Sequence, residues 1–316
     1  MVATRADRAA PTPSLAHRVE YGALRTAIGA LGVLRWERAV RAGARIGALG
    51  YAPFRVRRRV VERQIAAAFP ELDPARVATI ARGAFEHLGR IAVETALLSR
   101  IGRAEVLGLV EGVDGWDLFE RLHAEGRGLI LVTGHLGNWE VGGAYVAARG
   151  LPIDAVARRM GNPLFDAYLT RTRSRLGMAV VPDQDAVRRT PRALAQGRVV
   201  AFVADQAGLT LSSSYIPFFG RPAKTPRGPA VFALRFGAPL VFGVAVRQPA
   251  GTYRITFEEI PVRDTGDREG DVDRVLEAYT RTLERWVRRV PEQYFWHHRR
   301  WKRQPPDTPP ELRDPT

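Results

Sequence analysis

The stretch His135-Leu-Gly-Asn-Trp-Glu140 contains the two side chains needed for proton transfer from a hydroxyl. An imidazole held by a carboxylate keeps one tautomer, gains basicity and leaves its second nitrogen free to accept the proton. Five positions apart on one continuous helix, the two residues would stand about 140° apart around the axis and could not meet. The pairing therefore requires His135 in a turn, a helix beginning near Asn138, and Glu140 reaching back from the first helical turn. In the blander alternative, His135 only caps that helix and Glu140 is placed there by the helix dipole. The chain has no cysteine and no Gly-x-Ser-x-Gly elbow, so it offers no obvious covalent nucleophile.

The turn that must hold His135 follows Gly128-Leu-Ile-Leu-Val-Thr133, a short apolar run expected as a strand buried on both faces. Ligands of open α/β sheets bind at the C-terminal ends of such strands. Similar runs at 155–156, 179–181, 199–204 and 240–246 alternate with helix-like stretches at 141–149, 163–176, 190–196 and 229–236. That alternation predicts an α/β fold with a mostly parallel central sheet flanked by helices. Residues 253–259 alternate as a more exposed, antiparallel edge strand, and 272–290 return to helix. Residues 15–100 show helical spacing, with Asp73 and Pro74 as cap and first position of one helix. We expect one domain over 15–303, with N-terminal helices at 15–100 and the α/β core at 105–303, and flexible tails at 1–14 and 304–316.

With 316 residues, 46% of them hydrophobic, the chain can bury a large core. Its formal charge of +15 and pI near 11.1 favour anionic partners: nucleic acid, an acidic membrane surface or an acidic carrier protein. Of 48 basic residues only Lys224 and Lys302 are lysines, and the 46 arginines suit bidentate phosphate binding, although GC-rich coding also produces such a bias. No secretory-signal pattern opens the chain. The stretch from Tyr21 to Leu34 is broken by Arg25 and is shorter than the ~20 residues a spanning helix needs. Interfacial attachment is expected rather than insertion. The segment from Tyr294 to Lys302, with Trp296, Arg299, Arg300 and Trp301, has the aromatic and basic chemistry of a membrane interface. The same composition can stack nucleobases, but no helix-turn-helix, zinc-finger or RNA-recognition signature accompanies it, so no nucleic-acid partner is expected. His297 and His298 are adjacent and lack a carboxylate cluster, so no metal site is expected either. Residues 216–230 contain Gly220, Lys224 and Thr225 without the glycine directly before lysine that a nucleotide phosphate loop requires.

Five segments recur in order: Gly-His-Leu-Gly-Asn-Trp-Glu at 134–140, Ala-Arg-Arg-Met-Gly-Asn-Pro-Leu-Phe-Asp at 157–166, Ala-Asp-Gln at 204–206, Ile-Pro-Phe-Phe-Gly-Arg-Pro-Ala-Lys-Thr-Pro-Arg-Gly-Pro-Ala at 216–230, and Pro-Glu-Gln-Tyr-Phe-Trp-His-His-Arg-Arg-Trp-Lys at 291–302. In these the chain resembles the bacterial lysophospholipid acyltransferase superfamily. Within it, the likeness is to the late lauroyl and myristoyl acyltransferases of lipid A biosynthesis and the related mycobacterial phosphatidylinositol mannoside acyltransferases. The likeness runs over about residues 20 to 303 and implies a glycerolipid-acyltransferase-like α/β/α fold.

The resemblance implies acyl transfer from an acyl-carrier-protein or coenzyme A thioester, with no bound cofactor, to a hydroxyl of a membrane glycolipid such as a lipid A precursor. A phosphatidylinositol mannoside or another lysolipid is the alternative acceptor, and a non-enzymatic membrane or nucleic-acid binder the alternative class. His135 becomes the general base and Glu140 its support. Without a covalent nucleophile, direct attack in a ternary complex is the simpler mechanism. Oxyanion donors are then sought in the backbone amides around Gly134 to Asn138, Gly137 and Asn138 among them, or in Arg158 and Arg159. Asn162 reads first as a helix cap and second as a substrate contact. Asp205 and Gln206 stand at a strand end where site residues belong, and Thr225 and Arg227 border the implied acyl and headgroup pockets. The expected protein is monomeric and peripheral or weakly anchored, on the cytoplasmic face of the bacterial inner membrane, with anionic lipid as a partner.

Overall fold

In the computed structural model, which describes residues 12–206 and 212–316, the Asp73-Pro74 pair begins a helix as its chemistry dictates, the Asp73 carboxylate accepting the Arg76 N–H at 2.8 Å. The first eleven residues of the expected N-terminal tail lie outside the described residues. Five helices come first: α1 (Leu15–Leu31), α2 (Trp36–Tyr51), α3 (Arg58–Ala68), α4 (Pro74–Leu97) and the short α5 (Arg103–Gly108). There follow β1 (Val110–Asp114), α6 (Trp116–Ala124), β2 (Leu129–Thr133), α7 (Trp139–Ala148), β3 (Ile153–Ala157), α8 (Pro163–Arg175), β4 (Met178–Pro182), α9 (Ala186–Ala195) and β5 (Val199–Val203). A hairpin of β6 (Ser213–Phe218) and β7 (Arg221–Pro226) leads to α10 (Gly228–Phe236), β8 (Leu240–Arg247), β9 (Tyr253–Ile260) and α11 (Arg268–Arg289).

Seven strands form the central sheet in the order β1-β9-β8-β2-β5-β3-β4, all neighbours parallel except β8 and β9. The fully buried run Leu129-Ile-Leu-Val makes β2 a central strand, and its alternate residues feed the hydrophobic clusters on the two faces. Helix α4 packs on α2 almost backbone to backbone: a Cβ at Gly89 would lie 2.1 Å from the Gly43 carbonyl oxygen.

Three departures from the sequence expectations have physical causes. The 253–260 strand is antiparallel to β8 as expected but is not an edge, because β1 pairs along its outer side. Val110-Glu-Gly-Val-Asp carries too little apolar pattern to announce a strand and is held by its neighbour's backbone. Residues 216–226, read as loop, belong to a hairpin whose turn residues Phe219 and Gly220 both have positive φ, 52° and 70°, the backbone of a type I′ turn. Residues 304–316, expected as a loose tail, are tied down. Gln304 donates to the Pro222 and Leu312 carbonyls, and Asp314 pairs with Arg299.

The largest correction concerns the aromatic and basic segment assigned to a membrane interface. Trp296 and Trp301 are 0% exposed and Arg300 is buried, packed with Phe218, Phe219 and Phe69 in the main core. The buried Gln64 side chain of α3 donates to the Trp296 and His298 carbonyls and accepts the Arg300 N–H, stitching the segment inside. Arg300 itself donates to the Lys224 carbonyl and the Thr225 hydroxyl. Trp296, Arg300 and Trp301 present no membrane surface, and Arg299, its side chain 39% exposed, is paired with Asp314.

Candidate active site

Strands β2 and β5 pair in register, Thr133 opposite Val203, and the Ala204 N–H extends the ladder to the Thr133 carbonyl. Two residues beyond each strand end, His135 and Asp205 therefore stand side by side. Asp205 accepts twice from one residue: the His135 backbone N–H reaches Oδ2 at 3.1 Å, and Nδ1 reaches Oδ1 at 2.6 Å. Burial alone would raise the Asp205 carboxyl. The charge and ring hydrogen bond of His135, its backbone N–H and the Arg300 guanidinium outweigh that and lower it to about 2. Asp205 is thus an acceptor only, which makes Nδ1 the protonated nitrogen of the neutral ring and leaves Nε2 with its lone pair. The Asp205 side chain is 1% exposed, whereas the imidazole keeps 23%, so the ring faces an opening. The rings of Trp139 and Phe295 flank it, with centroids 4.7 and 5.9 Å away.

The expected turn and helix start are present: Asn138 caps α7, its Oδ1 accepting the Glu140 and Val141 N–H groups at 3.1 Å. Glu140 nevertheless does not reach back. With α7 starting at Trp139, the indole takes the place beside His135, and Glu140, one residue further round, turns to α8. There Arg173 donates to both its oxygens, Nε at 3.0 Å and Nη2 at 2.5 Å. The carboxylate on the imidazole is Asp205, and Glu140 holds a largely buried ion pair that joins α7 to α8.

Four of the amides offered as oxyanion donors are already taken. His135 N–H goes to Asp205, Leu136 N–H to Gly134, Gly137 N–H to Gln293 and Asn138 N–H to Ala245. Gly137 has φ +60°, and a Cβ there would lie 2.0 Å from the Ala245 carbonyl oxygen, so the turn lies flat on β8. Its carbonyl accepts from His87 Nε2 at 3.1 Å. The Asn138 amide donates to Glu94 at 2.9 Å, and Glu94 is shared with Tyr253 and paired with Arg247. Gly137 and Asn138 are therefore structural supports of the turn.

Of the other expected site residues, Thr225 is fully buried between the Ala223 carbonyl and Arg300, and Arg227 is paired with Glu269 at 2.6 Å. Neither faces the imidazole's opening as a free polar contact. Asn162 is the cap it resembled, accepting the Leu164 N–H at 3.0 Å, while its amide donates to the His17 carbonyl and Glu20 of α1. Arg158 and Arg159 are exposed just past the C-terminal end of β3, the strand next to β5, and carry no ion pair among the described residues. Half-buried Gln206 directly follows Asp205. The sequence reading missed His87, Glu94, Arg173 and Gln293. Only the pair His87 and Glu94 left a trace: polar residues seven apart on the otherwise apolar buried face of α4.

Three buried histidines surround this region. Burial lowers His87 to about 3; burial, helped by the Arg57 charge, lowers His297 to about 4; and burial also brings His298 to about 4 against the opposing pull of Asp205. The fold thus holds these rings neutral, while the unfolded chain protonates them below an ordinary histidine value near 6.5. The unfolded state binds more protons between about 4 and 6.5, so stability is full above that window and is lost as pH falls through it. Asp205, depressed instead, loses its contribution only below about 4. The urea midpoint is expected to fall between pH 7 and pH 5, by on the order of 1–2 kcal/mol for each histidine. A flat midpoint over that interval would show that these rings accept protons in place.

The model of a family described as bacterial lipid A biosynthesis acyltransferase matches residues 19–303. The chain is 28% identical over 268 residues to the lipid A biosynthesis palmitoleoyltransferase of Escherichia coli K12, covering 83% of this chain and 84% of that protein. It is 28% identical over 277 residues to the lipid A biosynthesis lauroyltransferase of the same organism, covering 85% and 87%. Similarity extends to the phosphatidylinositol mannoside acyltransferase of Mycolicibacterium smegmatis, 30% identical over 206 residues, 63% of this chain and 64% of that protein.

Proposed function

The chain belongs to the bacterial lipid A biosynthesis acyltransferase family and is an acyltransferase, and from that premise we propose that it moves a fatty acyl chain from a thioester donor to a hydroxyl of a membrane glycolipid. The observation that carries the chemistry is the His135 ring, fixed through Nδ1 by buried Asp205 and open at Nε2. In the reaction, Nε2 takes the proton of the acceptor hydroxyl as its oxygen attacks the thioester carbonyl. The tetrahedral oxyanion forms, the C–S bond breaks, and the thiolate leaves on coenzyme A or the carrier protein's prosthetic arm. The proton on Nε2 passes to that thiolate or to solvent, restoring the base, while Asp205 stabilises the imidazolium in between. Donor and acceptor are held together in a ternary complex, with no covalent acyl-enzyme.

A lipid A precursor is the acceptor that the lipid A biosynthesis relatives, covering more than four fifths of the chain, support; a phosphatidylinositol mannoside is the second reading, favoured by the 30% identity to the mycobacterial enzyme. Arg158 and Arg159, free at the rim beside β5, are the cations offered to the acceptor's or donor's phosphate or to the oxyanion. Among the described residues no helix is long and apolar enough to cross a membrane. We take the enzyme to be a monomer bound peripherally at the cytoplasmic face of the inner membrane. Purified protein incubated with acyl-carrier-protein or coenzyme A thioester and each lipid is expected to give an acylated lipid, seen by mass spectrometry, that needs both substrates. Thioester consumption without lipid product would make it a thioesterase, and no consumption with any pairing would sink the proposal.

A further inference from the structure

Burial of Trp296, Arg300 and Trp301 removes most of the surface first expected to meet the membrane, and a different surface has the required chemistry. Helix α2 ends at Tyr51, and the chain folds back on its last turn, Phe54 N–H bonding to the Leu49 carbonyl and Val56 N–H to that of Gly50. Four apolar side chains of this short segment are left exposed: Ile46 at 59%, Leu49 at 47%, Phe54 at 70% and Val56 at 56%. Arginines alternate with them, and Arg41, Arg45, Arg55, Arg57 and Arg59 are exposed and carry no ion pair among the described residues. A protein partner that buried this face would have to satisfy five unpaired guanidinium groups, whereas an anionic bilayer supplies phosphates to the arginines and an acyl boundary to the apolar groups together.

The face is also linked to the imidazole through the core. A continuous row of rings runs inward from it: Tyr51 to Phe85 at 5.7 Å, Phe85 to His297 at 4.3 Å, His297 to Phe295 at 5.4 Å and Phe295 to His135 at 5.9 Å. We propose that the end of α2 and the 52–57 loop are the membrane-docking surface, inserting Phe54 and Val56 at the acyl boundary of an anionic leaflet while Arg55 and Arg57 hold lipid phosphates. The assignment rests on the reading that the acyl acceptor is a membrane lipid.

Full-length protein is mixed with sucrose-loaded vesicles of phosphatidylcholine alone or with phosphatidylglycerol added, and sedimented without any acyl donor. The parent is expected to partition to the anionic vesicles and to be released by salt. Phe54→Ser with Val56→Ser lowers the partition coefficient roughly tenfold. Arg55→Gln with Arg57→Gln lowers it by at least as much and flattens the salt dependence. Val187→Ser, which alters an equally exposed aliphatic on α9, leaves it unchanged. Parent-like binding by both double variants, or no binding by the parent, overturns the assignment. Duplex DNA binding as tight as vesicle binding, with both untouched by the serine variant, would reassign the arginines to nucleic acid. Because the assay contains no acyl donor, its outcome is independent of whether His135 transfers acyl groups, and either reading can fail alone.

Discussion

Replacing His135 with Ala is expected to lower kcat for acyl transfer by about a thousandfold or more, with little change in the KM of donor or acceptor. The side chain lies in the opening between Trp139 and Phe295 and, among the described residues, donates only to Asp205, so its removal costs little substrate binding. What is lost is the base. A lipid hydroxyl attacking a thioester must shed its proton as the C–O bond forms, and water at neutral pH accepts that proton poorly. Residual rate comes from holding the two substrates together. Small imidazole added to the variant is expected to restore part of the activity, because the space left is imidazole-shaped and open. Steady-state kinetics with thiol release as the readout checks both. If His135→Ala retains the parental kcat, the base is elsewhere and the Asp205 contact only pins a turn.

Much of this arrangement is legible in the sequence. The run of Leu129 to Thr133 fixes a doubly buried strand, His135 falls in the turn after it, and Asn138 starts the next helix. These are local consequences of apolar patterning and capping. The partner of the imidazole was not readable, because it depends on β5 lying beside β2, and strands 66 residues apart in the chain are paired only by the sheet order. Asp205 was visible as a strand-end acid, but its distance from His135 in sequence hides the contact. Glu140 failed for the same reason in reverse: its proximity suggested a pair, and the buried Arg173 of α8, equally remote in sequence, claimed it. The Trp296 to Trp301 segment shows the limit of composition. Aromatic and cationic side chains have the same residue types at a bilayer surface and in a core where each polar group has a partner. The buried amide of Gln64 decides between them here.

The division of labour between the two carboxylates gives the second large effect. Asp205→Asn is expected to lower kcat by roughly a hundredfold to ten-thousandfold. The reason is geometric: His135 offers Asp205 two donors, the backbone N–H and Nδ1–H, and an Asn side chain has one acceptor. If its oxygen keeps the ring, its NH2 meets the backbone N–H donor to donor. If it turns over, the NH2 donates to Nδ1 and forces the proton onto Nε2, where the base must be empty. Either way the imidazolium also loses its counter-charge. Glu140→Gln acts elsewhere: it leaves Arg173 without a counter-charge beneath α7, a loss on the order of 3 kcal/mol of stability, and leaves the His135 tautomer alone. Its kcat, measured well below its melting temperature, is expected to exceed that of Asp205→Asn by at least tenfold, and replacing Glu140 and Arg173 together with Met should recover stability lost by the single change. The opposite ranking, Glu140→Gln as inactive as His135→Ala with an unshifted melting temperature, would mean that Glu140 leaves Arg173 and joins the imidazole once both substrates are bound.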